Sequence, residues 1–124
     1  MTSELPSTLT YPQQLEKIKG NMGVLSNDQP DVMKAFGALH TAGSANGALD
    51  TKTKELISLA IAVTARCDGC IAFHTHDAMQ AGATRAEITD ALGVAVLMGG
   101  GPSVMYATHV IEAMDQFEGL IEKV

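Results

Sequence analysis

Apolar side chains recur along this chain at helical spacing, and the recurrences are separated by residues that start or stop helices. Leu15, Ile18 and Met22 lie three and four apart after Pro12, which suits a first helical turn, and predict a first helix over about residues 11–20. Ser26, Asn27, Asp28 and Pro30 interrupt the pattern. Val32, Met33, Phe36, Leu39 and His40 then resume it as a second helix, up to a Gly/Ala/Ser/Asn loop over 42–48. Asp50 or Thr51 can cap a third helix by accepting from the free backbone N–H groups of its first turn. From Leu56 to Ala65 every position but Ser58 and Thr64 is apolar. A segment apolar on nearly every side must be covered on nearly every side, which predicts a central helix covered by neighbours, another subunit among them. Composition alone also permits a strand over Leu56–Val63, but the alanines and the lack of alternation favour helix.

A fourth helix opens at Asp68 or Gly69 and runs to about Ala81, with Gly82 as a left-handed stop. Thr84 followed by Glu87 three residues later is the capping-box pattern of a fifth helix, with Ile88, Ala91, Leu92, Ala95, Val96 and Met98 as its apolar stripe. Gly99–Gly101 makes a corner, and Pro102 opens a last helix through Val104, Ala107, Ile111, Met114, Phe117 and Ile121. Six helices and no hairpin signal predict an all-α single compact domain over residues 11–124. A Ser/Thr/Pro-rich, aperiodic stretch at 1–10 is expected to be a flexible arm.

Composition narrows the function. The 124 residues suit one domain, and eight Lys plus Arg against 14 Asp plus Glu give a net charge of -6 with no basic cluster, so nucleic acid is not an expected partner. No apolar run reaches ~18 residues and Met1–Thr10 lacks a secretory pattern, so the expectation is a soluble, cytoplasmic protein with no membrane partner. Aromatics make up 4% and Trp is absent, which leaves few stacking platforms. The seven methionines fall at helical spacing and read as aliphatic core.

The two cysteines change the picture. Cys67 and Cys70 frame a CxxC, a spacing that two randomly placed cysteines would show in roughly one case in sixty. On a helix starting near Asp68, Cys67, Cys70 and His74 follow one another at three and four residues and share one stripe, so an imidazole can serve a thiol as its base. The helix N-terminus favours thiolate at Cys67, and two adjacent thiols are what reversible dithiol/disulfide chemistry requires. Two inert core cysteines would need no function. A structural zinc site would draw on Cys67, Cys70, His74 and His76, but His76 points away from the stripe. A structural disulfide across two residues would constrain little of the unfolded chain. His40, His76 and His109 read as surface or core-edge side chains, Asp90 and Glu112 as solvated, and Gly99–Gly101 lacks the Lys-Ser/Thr of a phosphate cradle.

Glu55, then Cys67-Asp68-Gly69-Cys70, then His74 resembles the Glu, CxxC, xxxHis signature of the alkylhydroperoxidase D-like branch of the carboxymuconolactone decarboxylase superfamily, over about residues 30–115. The resemblance implies an all-helical homotrimer or homohexamer, without a cofactor or metal, that reduces organic hydroperoxides through its CxxC and is recycled by a dithiol reductant. It implies Glu55 as distal base, His74 as relay imidazole and Cys70 as the thiol that attacks peroxide, with Cys67 closing the disulfide. Helix-terminus physics alone points instead to Cys67 as the more acidic thiol. Gly69 stands where the best-known members carry a histidine, which implies a shorter relay and leaves room for slow thiol–disulfide exchange. Without the resemblance, Glu55 reads as an exposed acid in a first helical turn. The alternatives are the cysteine-independent decarboxylase branch, against which the intact CxxC argues, and a non-catalytic dithiol redox sensor or interaction subunit.

Overall fold

The computed structural model describes residues 9–120, which form six helices and, among the described residues, no strand. They are α1 (Tyr11–Asp28), α2 (Pro30–Ser44), α3 (Thr51–Thr64), α4 (Asp68–Gln80), α5 (Arg85–Gly99) and α6 (Gly101–Phe117). The all-α reading therefore holds. Most of the expected arm, residues 1–8, and Ile121 of the last predicted helix lie outside the described residues.

Two caps form as the sequence predicts: Asp50 accepts from Thr53 N–H at α3, and Thr84 with Glu87 forms the capping box of α5. Thr10, expected within the flexible arm, instead forms a capping box with Gln13 at α1. Pro12, Pro30 and Pro102 occupy first turns, where no backbone donor is missed. α1 runs eight residues beyond its expected end. Gly20 and Gly23 are poor helix formers, but both lie in open space and the ladder continues to Gln29 N–H on Leu25 C=O.

The core gathers Leu59 and Val63 of α3, Ile71 of α4, Ile88 of α5 and Val110 of α6, all fully buried, with Tyr11 and Leu15 of α1 packed at its edge. Two expectations about burial change. α3 is covered on one side only: Leu59, Ala62 and Val63 are buried, whereas Ile57 and Ile61 stay exposed and face an open apolar groove shared with Val94 and Met98 of α5. α2 buries no residue at all, and Val32, Phe36 and Leu39 are exposed. Met98 and Val104, expected on buried stripes, are exposed too: α5 buries Ile88, Leu92 and Ala95 of its expected stripe, and α6 turns Val110 and Ala113 inward.

Candidate functional site

The junction between α3 and α4 sets the position of both cysteines. Arg66 adopts a left-handed conformation, φ 59°, and lets the chain reverse out of α3. Its N–H bonds to Val63 C=O and the N–H of Cys67 to Ala62 C=O, the paired bonds of a Schellman stop. Cys67 is thus the last residue of that stop and also the N-cap of α4. Its Sγ accepts the N–H of Cys70 at 3.2 Å in the first turn of that helix.

Cys70 lies one turn further in and packs against the core. Its thiol is pushed up to about 11, first by burial and then by hydrogen bonding to and charge on Cys67. The two sulfurs are therefore unlike: Cys67 is held ready as an acceptor, and Cys70 needs a base to lose its proton. His74, one further turn along α4, lines the same cleft as both cysteines. On its other side, His74 Nδ1 lies 2.7 Å from Glu55 Oε1. A carboxylate can only accept, so Nδ1 carries the hydrogen and neutral His74 keeps Nε2 free as a base.

Glu55 is only 4% exposed, unlike the solvated acid that its place near the start of α3 suggests without the resemblance. Its hydrogen bond to His74 satisfies a carboxylate that would otherwise be costly to bury. The cleft holds about 600 Å³ and is lined by the apolar side chains of Ile18, Met22, Phe36 and Phe73, with the sulfurs and His74 among them. Gly69 faces α1, where a Cβ would meet Ile18 Cδ1 at 3.4 Å.

The remaining histidines divide. His76 leaves the stripe as expected: it pairs with Asp77 at 2.9 Å and sets its ring edge against Phe117. Among the described residues no cluster of three metal-ligating groups includes either cysteine, so the zinc reading gains nothing. His109 Nδ1 donates to Asp68 Oδ1 at 2.8 Å, and the Tyr11 hydroxyl reaches the same carboxylate at 3.1 Å. Burial and then Asp68 raise the Tyr11 hydroxyl, which stays protonated as the donor. Asp68 thereby ties the CxxC turn to α1 and α6, a role that spacing along one chain cannot reveal. His40, read from the sequence as an ordinary surface side chain, lines the cysteine cleft from α2, and its ring, Glu55 and Asp77 converge to within 4.8 Å of one another. Among the described residues, no helix is long and apolar enough to cross a membrane.

Residues 30–113 match the carboxymuconolactone decarboxylase family profile. A protein of Cupriavidus necator described as uncharacterized is 37% identical over 115 residues, covering 93% of this chain and 96% of that one. A crystal structure of a carboxymuconolactone decarboxylase family protein from Legionella pneumophila superposes with a TM-score of 0.84 at 42% identity, over 86% of this chain and 96% of that chain. A second, from Thermotoga maritima, has a TM-score of 0.66 at 33% identity, covering 70% of this chain and 90% of that one. Its description suggests involvement in the antioxidative response.

Proposed function

The chain belongs to the carboxymuconolactone decarboxylase family, and from that premise and the geometry of the cleft we propose that it is a thiol-dependent peroxidase that reduces organic hydroperoxides. The observation that carries this reading is the 2.7 Å contact between Glu55 and His74, which backs the imidazole lining the dithiol cleft with a buried carboxylate. A thiol raised by burial, as Cys70 is, gains most from such a base.

In the proposed cycle His74 Nε2 takes the Cys70 proton while Glu55 stabilises the imidazolium that forms. The Cys70 sulfur attacks the terminal peroxide oxygen; the S–O bond forms, the O–O bond breaks, and the leaving alkoxide takes the proton back from His74. Cys70 is now a sulfenic acid and the other product an alcohol. Cys67 gives up its proton and attacks the Cys70 sulfur; the S–S bond forms, the S–O bond breaks, and the departing hydroxide takes that proton and leaves as water. One peroxide consumes two thiols, and an external dithiol restores them. The apolar lining favours an alkyl or aryl hydroperoxide over hydrogen peroxide. A reducing cytoplasmic setting suits the cycle, and the antioxidative description of the Thermotoga relative agrees with it. The uncovered apolar faces of α2, α3 and α5 support assembly of several copies, as a trimer or hexamer.

The test is steady-state consumption of cumene hydroperoxide with dithiothreitol as reductant. Wild type is expected to turn over and Cys70→Ser to be inactive. Absence of turnover by wild type, with a redox-dependent change in oligomer size, contradicts the peroxidase and favours a redox sensor.

A further inference from the structure

His40, Glu55 and Asp77 come from three different helices, α2, α3 and α4, yet one ring nitrogen and one oxygen from each carboxylate lie within 4.8 Å of one another. Two carboxylates this close repel unless a positive charge stands between them. Each also has an imidazole as hydrogen-bond partner. Glu55, which is buried, is gripped by His74 Nδ1 at 2.7 Å, and Asp77 by His76 Nδ1 at 2.9 Å. Each carboxylate is thus held by an imidazole, as carboxylates that ligate metal ions are commonly held by hydrogen bonds of their own. His40 is exposed and lines the cleft, so the one imidazole of the set is open to solvent.

The geometry points to a divalent-cation site formed by His40, Glu55 and Asp77. One imidazole and two carboxylates suit a first-row transition ion of the Mn²⁺ to Zn²⁺ series, because Mg²⁺ and Ca²⁺ prefer all-oxygen surroundings. Donors about 2.1 Å from such an ion stand roughly 3–3.5 Å apart, so binding draws the three side chains closer together. His40 can make that movement, since it is exposed on a helix that buries none of its residues. The cysteines are not part of this ligand set, so the site is separate from the zinc arrangement that CxxC suggests.

The experiment is titration calorimetry of the full-length Cys67→Ser/Cys70→Ser protein with Zn²⁺ and Mn²⁺, and with Mg²⁺ as comparison. With the thiols removed, any ion bound must use other donors. The expected result is one Zn²⁺ per chain, no detectable Mg²⁺, and at least about tenfold weaker binding after His40→Ala or Asp77→Asn. Thermal melts of the same proteins give a second readout: Zn²⁺ raises the melting temperature of the parent and not that of His40→Ala. His40 makes no buried contact that folding depends on, so that variant remains interpretable. Absence of Zn²⁺ binding, or binding unchanged by both substitutions, overturns the site. Binding that appears only when the cysteines are restored assigns the ion to the thiols and overturns it equally.

Discussion

Glu55 of α3 and His74 of α4 meet at 2.7 Å, Oε1 to Nδ1, although nineteen residues separate them along the chain. The contact turns two side chains with ordinary separate explanations into a buried base assembly behind a dithiol. Glu55→Gln keeps the shape and an acceptor but removes the charge that stabilises imidazolium. It is expected to lower kcat for cumene hydroperoxide by about 10–100-fold with little change in KM, within the range general-base assistance supplies. A fully active Glu55→Gln protein would remove the relay.

The two thiols differ in environment, and alkylation reads the difference. Cys67 accepts a backbone N–H at a helix start, whereas the Cys70 thiol is raised to about 11 and stays protonated near neutrality. Iodoacetamide at pH 7.5 is expected to label Cys70 only slowly, followed by peptide mass spectrometry. Labelling of Cys70 should accelerate as pH approaches 11, because a raised thiol yields its thiolate only at higher pH. Cys70 labelled as fast at pH 7.5 as near pH 11 contradicts this description.

Arg66 holds a left-handed conformation directly before the CxxC. For a residue with a Cβ this costs roughly 1–2 kcal/mol, partly offset on substitution by the greater unfolded-state freedom of glycine. Arg66→Gly is therefore expected to raise stability by up to about 1 kcal/mol, about 4 °C in melting temperature. A drop in melting temperature would show that the Arg66 side chain stabilises the junction by more than its backbone strains it.

Thr75 is fully buried on α4 and its hydroxyl has no hydrogen-bond partner among the described residues. A buried hydroxyl left unpaired costs about 1–3 kcal/mol. Thr75→Val, similar in shape and without the hydroxyl, is expected to stabilise the fold by about 1 kcal/mol in urea unfolding. Destabilisation would reveal a partner for that oxygen.

Local signals were the ones readable along the chain. Asp50, Thr84 and the first-turn prolines act through residues three or four away, so their helices start where expected. The stripe of Cys67, Cys70 and His74 is legible for the same reason, being one face of one helix. Glu55 is legible only through the family resemblance, since nothing within α3 says which side of it faces α4. His40, Asp77 and the Asp68 bridge to Tyr11 and His109 were out of reach, because each depends on how separate helices pack. The exposed half of α3 shows another limit. An all-round apolar sequence demands cover, and a single copy of the chain leaves Ile57 and Ile61 without it.

Reduction of a peroxide by the CxxC through its own thiol pair is read out in a single turnover. Reduced protein freed of reductant receives one equivalent of cumene hydroperoxide, and intact-mass and peptide mass spectrometry follow both cysteines while the alcohol is quantified. One alcohol per chain, loss of two hydrogens, and a disulfide mapped to Cys67 and Cys70 are expected. Peroxide left unconsumed with both thiols still free, or oxidation confined to methionine, would contradict it.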